Sequence, residues 1–402
     1  MAAHGHERPT GQGCLPAQGR PPPQPAATGP ADRAGSAAAA GGAPQRRGWA
    51  RTDGDEGLNM WFGFGNDRRR DPPQNRTETP AQEVAWFGKL PTHADFIRHN
   101  VSGREIKSFE NWVQDGVALM IRNHGEQWSS RLSGLRTLGF LHVGSEDSHT
   151  LAGVVMPSRD RSGRSYPFSL VVSRHLPLLQ EMQGLAPMAC AELIAALDEA
   201  VQGLRHVQSR DGIQVLGERL ARVECERDRH RAIREVMARF EQRRLGELWA
   251  GLPGMEDPAA RSALVAAIGS TLRGIARRGM GRVRWGLRFP LPASAPAVDF
   301  IQFWMQLTVS YLGDQGWNAW LYWAHPEGEA PGMLCLLFHT PPPSYLAALV
   351  EPERDDGSML DLLAESRQEM YAESPVHEAL LRDEPTLMEA LNLWRVQGEG
   401  RS

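Results

Sequence analysis

A chain of 402 residues, 41% hydrophobic and 23% charged, has the make-up of a globular protein large enough for one extensive core or two smaller ones. Its 44 basic and 48 acidic residues leave a formal charge of -4, too weak a field to draw nucleic acid or anionic lipid over the whole surface. No apolar run approaches the roughly 18 residues of a membrane helix, and four scattered cysteines, Cys14, Cys190, Cys225 and Cys335, hold no C-x-x-C pair, which argues against zinc and fits a reducing compartment.

Residues 1 to about 59 are rich in Gly, Pro, Ala, Gln and Arg and lack apolar periodicity, and 66–83 alternate charge with proline, so 1–83 is expected to be a disordered N-terminus and linker. Met60, opening MWFGFGNDRRR, reads as a natural start. Folding is expected from Val84. A short apolar lead runs into the loop GKLPTHADF, where Pro91 fixes φ and disfavours helix at Leu90. Ile106, Phe109, Val113, Val117 and Met120 then recur at three- and four-residue steps, predicting a helix over 103–123.

Three short runs rich in β-branched or aromatic residues follow, 137–143, 151–156 and 166–172, the last two predicted to pair as a long hairpin. The middle, about 186–277, reads as helical: 188–204, a charged stretch 216–248 expected to present a solvated face, and 258–277 behind a proline suited to a helix start. Cys225 and His230 in the charged stretch are two donors only, too few for a metal site, and are expected on a surface helix. Strands resume at 283–289, 317–324 and 333–339, with helices at 298–312 and in PPPSYLAALV, and an acidic helical tail covers 351–402. The fold class implied is α+β, a mainly antiparallel sheet flanked by helices with an additional helical middle segment.

Two segments hold the chemistry. In GVVMPSRDRSGRSYPFSLV, Pro157 ends a strand, Ser158 and Asp160 can bond turn amides, and Gly163 permits a positive φ; the same tip offers Arg159, Arg161 and Arg164 as paired donors for a carboxylate or phosphate. In WFGKLPTHADF, His93 and Asp95 stand two apart without a nucleophile or third ligand, and Asp95 can equally cap a turn. Trp317, Trp320 and Trp323 form either an aromatic binding surface or packing on two sides of a sheet, since a strand sends Trp320 and Trp323 to opposite faces. No P-loop, H-E-x-x-H, G-x-S-x-G or complete dinucleotide fingerprint is present, and neither a cofactor nor a small-molecule substrate is expected.

Taken together, WFGKLPTHADF, the helix carrying Trp112 after it, and GVVMPSRDRSGRSYPFSLV about sixty residues later resemble the TagF (ImpM-type) family of type VI secretion-associated proteins. The resemblance covers roughly 84–175 well and reaches about 350 more loosely through WLYWAHPEG and MLCLLFHTPPPSYLAALV. It implies a TagF-like domain over 84–350 with a longin-like sandwich, in a cytoplasmic, non-catalytic bacterial protein that represses assembly or firing of the secretion machine after translation. The implied partners are secretion components such as a forkhead-associated scaffold. Motif positions Lys89, Pro91, Asp95, Phe96, Pro157, Ser158, Asp160, Arg161, Gly163, Arg164 and Pro167 would form or shape the contact. Two departures stand out: Ala94 where the family commonly has glycine before the aspartate, and polar Arg159 and Ser162 where apolar residues are usual. The alternatives are a hydrolase or phosphate-acting enzyme built from His93, Asp95, Ser158, Asp160 and Arg164, and a structural baseplate component.

Overall fold

The computed structural model describes residues 83–399 apart from 145–148, 207–208, 210, 294–296, 329, 352–353, 355 and 373. Of the N-terminus and linker expected to be disordered over 1–83, residues 1–82 lie outside the described residues, as do the start at Met60 and Cys14, whereas Glu83 opens the first strand.

Nine strands make one sheet: β1 (Glu83–Gly88), β2 (Ile97–His99), β3 (Leu138–His142), β4 (His149–Met156), β5 (Phe168–His175), β6 (Gly286–Leu291), β7 (Trp320–Ala324), β8 (Gly332–Leu337) and β9 (Met359–Asp361). Their order is β2-β1-β5-β4-β3-β7-β8-β6-β9. Neighbours are antiparallel except β6 and β9, which run parallel with Leu287 opposite Leu360. The hairpin expected from the second motif forms with Gly153 opposite Val171, and β1 adds to its outer side with Trp86 opposite Leu170. The short apolar lead before the first loop, to which the sequence assigned no element, is thus a strand that ends on Gly88. Its five buried residues, Val84 to Gly88, show no polar alternation to mark them.

The sheet buries both faces, and period-two alternation assigns each side chain to one of them. Ala85, Phe87, Phe140, Val155 and Tyr322 face a thin layer made by α1 (Arg104–His124) and a short helix, Tyr345–Val350. The expected stripe of Ile106, Phe109, Val113, Val117 and Met120 lies against the sheet, at about 1.5–3 kcal/mol for each fully buried large side chain. Val113→Asp would put an unpaired charge at the centre of that contact.

Val84, Trp86, Val154, Leu170, Leu287 and Trp323 face a thicker helical layer. In it lie α2 (Ala191–Arg205), α3 (Gly212–Ala221), α4 (Arg229–Gln242), α5 (Pro258–Arg278), α6 (Ala297–Leu312) and α7 (Leu387–Glu399). The charged stretch expected as one helical run is broken by an extended segment at 223–228, so Cys225 sits between α3 and α4 instead of on a surface helix. Asp228 restarts the helix by accepting the Arg231 amide at 2.9 Å. Nor does this stretch simply face water. Arg239 and Arg243 reach inward to Asp299 of α6, at 3.1 and 2.9 Å, and Asp299 is 1% exposed. The expected helical tail also supplies β9 and buries Leu362, Leu387, Leu391 and Trp394 in this core.

Candidate functional site

The two motifs meet at one end of β1, β4 and β5. β1 closes on Gly88, whose φ is 122° and where an added Cβ would stand 2.2 Å from the Pro167 carbonyl oxygen, so only glycine lets the first motif lie against the second. A turn follows in which the His93 amide donates to the Leu90 carbonyl at 3.0 Å, with exposed Pro91 at its second position. Facing it, the hairpin tip narrows past Pro157 through an isolated bridge between Arg159 and Ser165 and a bond from the Tyr166 amide to the Ser158 carbonyl at 3.0 Å. Gly163, at φ 86°, supplies the left-handed step and donates its amide to the Asp160 carbonyl.

Asp160 ties the two segments together. Its side chain is 0% exposed; Oδ1 accepts the Ser162 amide (2.9 Å), the Ser162 hydroxyl (2.6 Å) and the Arg164 amide (3.0 Å). Oδ2 accepts Arg164 Nε at 2.7 Å and pairs with Lys89 Nζ of the first motif at 3.1 Å. The Arg164 guanidinium continues across the junction, donating from Nη2 to the Ala94 carbonyl at 2.7 Å and to Asp95 Oδ1 at 2.8 Å. The Arg161 amide adds a backbone link to the His93 carbonyl at 2.8 Å. Burial alone would push the Asp160 carboxyl up, but the hydrogen bonds from Ser162, Arg164 and Lys89 outweigh it and hold the group well below the usual carboxylate range. Its partners Asp95 and Asp160 in turn raise Arg164.

Lys89, Asp95, Asp160 and Arg164 therefore form one network, with Pro157, Ser158, Gly163 and Pro167 shaping its walls. Asp160 and Arg164 are engaged within the fold, which leaves the exposed side chains of Arg159 and Arg161 without a partner among the described residues. Beside them Phe96 is 39% exposed and meets Tyr166 edge-on at 5.3 Å. Burial pushes the Tyr166 phenol up to about 12.

The departures at Ala94 and Ser162 find a physical account; the structure shows none for Arg159. Ala94 has no positive φ and presents its carbonyl to Arg164, so glycine is not required there. Ser162 is polar because its hydroxyl and amide both bind Asp160. The five residues of the enzyme alternative do gather here, but no hydrogen bond among the described residues joins the Ser158 hydroxyl to His93 or Asp160, and His93 Nδ1 lies 2.9 Å from the Thr92 hydroxyl. Sequence reasoning missed Gly88, the Ala94 carbonyl and Tyr166. The spacing of Asp160 and Ser162 was the one local signal, that of an Asx turn.

The tryptophan triplet divides as a strand requires: Trp323 packs on the helical side, and Trp320 turns to the α1 side, with its ring 3.9 Å from that of His142. Trp320, Trp112, Phe109 and His142 line a cavity of about 290 Å³ away from the motif junction. Burial holds the His142 imidazole well below its ordinary value, so it is neutral. Among the described residues no helix is long and apolar enough to cross a membrane, and no group of three or more His, Cys, Asp or Glu could hold a metal ion.

A family model, the TagF N-terminal domain, Type VI secretion system-associated, matches residues 85–223. No curated protein matches the chain. Among solved structures it is similar to PA0076 from Pseudomonas aeruginosa PAO1, at 19% identity and a TM-score of 0.30, over 36% of this chain and 64% of that one. The chain thus spans less than two thirds of that relative's length. The domain match contains β2 to β5, nearly all of β1, both motifs and the whole Asp160 network, so residues 85–223 are similar to the N-terminal domain of TagF, which is type VI secretion system-associated.

Proposed function

We propose that this protein is a non-catalytic, cytoplasmic regulator of a bacterial type VI secretion system, a repressor acting after translation by binding another component through the motif junction. The observation that carries the reading is the division of labour at the hairpin tip. Asp160 is buried and the exposed Arg164 guanidinium is committed to Asp160, Asp95 and the Ala94 carbonyl, whereas Arg159 and Arg161 stand exposed without a partner among the described residues, and the ring of Phe96 is exposed near the junction. Two free guanidiniums next to an aromatic edge suit a carboxylate-bearing protein surface, because arginine pairs bidentately with carboxylates and an aromatic ring supplies apolar area at little entropic cost. The family resemblance suggests a forkhead-associated scaffold as that partner. An Asp160 whose acceptors are filled and whose proton is lost far below neutrality is poorly suited to general-base work, which favours binding over hydrolysis.

The test is co-purification of the full chain with the scaffold from its host, with secretion measured in parallel. Arg159→Glu with Arg161→Glu should weaken capture at least about ten-fold, the scale of losing one to two charged hot-spot contacts, and should release secretion from repression. Unchanged capture and unchanged secretion in a folded double variant would sink the proposal.

A further inference from the structure

On the other side of the molecule, between α2 and α4, two cysteines from separate segments come together. Cys190 ends the short helix Ala186–Ala189 and is 1% exposed; Cys225 lies in the extended 223–228 segment, partly exposed, and packs against the same core. The segments are joined one residue away from each cysteine by the Glu226 amide donating to the Ala189 carbonyl at 2.8 Å. Both cysteines are free, and this backbone link between their chain neighbours sets the two thiols beside each other. Cys225 opens onto a surface cavity of about 400 Å³, whereas Cys190 is sealed behind it.

Beside the pair stands Arg174 of β5, 2% exposed. Its guanidinium donates to the carbonyls of Ser173, Leu220 and Val223, the last two on the segment leading into Cys225, and its Nε has no partner among the described residues. No carboxylate pairs with it among the described residues, and the groups able to act on it as anions are the two thiols. A buried cation without a counter-ion is costly, so it favours a neighbouring group that can become one. The hydrogen bond from Cys190 and the charges of Arg174 and Arg227 lower Cys225, and its hydrogen bond to Cys225 together with burial raises Cys190, so the two thiols are unequal.

We infer that Cys190 and Cys225 form a peroxide-sensitive dithiol, with Cys225 the reacting thiolate and Cys190 the resolving thiol. The Cys225 thiolate attacks one oxygen of a hydroperoxide, the O–O bond breaks, and hydroxide or alkoxide leaves, giving a sulfenic acid with sulfur oxidised by two electrons. Cys190 sulfur then attacks Cys225 sulfur; the S–S bond forms, the S–O bond breaks, and hydroxide takes up the Cys190 proton as water. Two thiols and one hydrogen peroxide become one disulfide and two waters. The cavity is lined by Glu192, Glu224, Glu226 and Glu235 and by Arg231 and Arg239, which pair with Glu226 and Glu235; the two carboxylates left over, Glu192 and Glu224, favour a small neutral hydroperoxide over an anionic disulfide such as oxidised glutathione.

The experiment treats the reduced full chain with hydrogen peroxide at pH 7, quenches it with an alkylating agent, and maps thiols by peptide mass spectrometry. The expected product is a Cys190–Cys225 linked peptide two hydrogens lighter than its parts, formed about ten-fold faster than an unstructured cysteine peptide is oxidised, as a larger thiolate fraction dictates. In Cys190→Ser the oxidation should stop at a sulfenic acid on Cys225, trapped by a dione reagent. The wild-type linkage remains decisive if that variant does not fold. Oxidation no faster than the peptide's, or linkage through Cys14 or Cys335 instead, would overturn the inference.

Discussion

Two carboxylates in this protein are almost fully removed from water and each is held by two cations, yet they sit in very different surroundings. Asp160 lies at the motif junction, with donors from a tight turn filling Oδ1 and Lys89 and Arg164 on Oδ2. Asp299 lies on α6, where its side chain accepts from Arg239 and Arg243, both on or just after α4. The first pairing closes a turn and fixes two loops. The second joins two helices across a core. A local amide cage makes Asp160 partly independent of its cations; Asp299 depends on them.

Removing each carboxylate is the strongest way to break that comparison. Asp299→Ala leaves two guanidiniums aimed into a core without an anion and should cost about 3–5 kcal/mol, near the scale for breaking a buried pair, read from denaturant midpoints at constant slope. A loss below about 1 kcal/mol would mean that Arg239 and Arg243 simply turn out to water. Asp314 sharpens the contrast because no cation pairs with it among the described residues: the Gly184 amide donates to it at 2.7 Å, and burial pushes its carboxyl up to about 6. A folded value raised for an acid lowers stability as pH climbs from about 4 through 6. Asp314→Asn keeps the acceptor and should gain about 2 kcal/mol at pH 7 with no gain at pH 4.

The two networks were also unequally legible in the sequence. Periodicity found α1, the β4–β5 hairpin and most of the helical middle, because each has a run long enough to carry 3.6 or 2.0 spacing. It missed β1, whose Val84, Ala85, Trp86 and Phe87 are buried on both faces, and β9, only three residues long. At the junction the turn roles of Asp160 and Gly163 could be read locally. The Asp95–Arg164 pair could not, since 69 residues separate them and only the fold brings them together. In the middle, Arg239 and Arg243 looked like a solvated face; nothing in the 216–248 stretch reveals that an aspartate on α6 lies opposite.

Asp160→Asn tests the cage directly. The amide can still accept from Ser162 and Arg164 but loses its attraction for Lys89 and the Arg164 guanidinium. Because the folded carboxyl is held below its unfolded value of about 3.9, its contribution is fully present above that pH and disappears as pH falls through the folded value. Wild type should therefore be the more stable protein at pH 7, and its advantage over the variant should shrink from about pH 5 downward. Parallel stability curves over that range would show that the cage holds equally well around a neutral group.

The smallest effect on stability is expected where the proposed effect on binding is largest. Arg159→Ala and Arg161→Ala remove exposed side chains with no partner among the described residues, so each should change stability by no more than about 0.5 kcal/mol. Arg164→Ala differs in kind, because it takes away bonds to Asp160, Asp95 and Ala94 and so unfastens the junction as well as the surface. If Arg164→Ala alone weakened partner capture, the binding surface would depend on junction shape, and the exposed arginines would be ordinary solvated charge. If Arg161→Ala weakened capture at unchanged stability, the tip itself would be the contact, with Asp160 serving to present it.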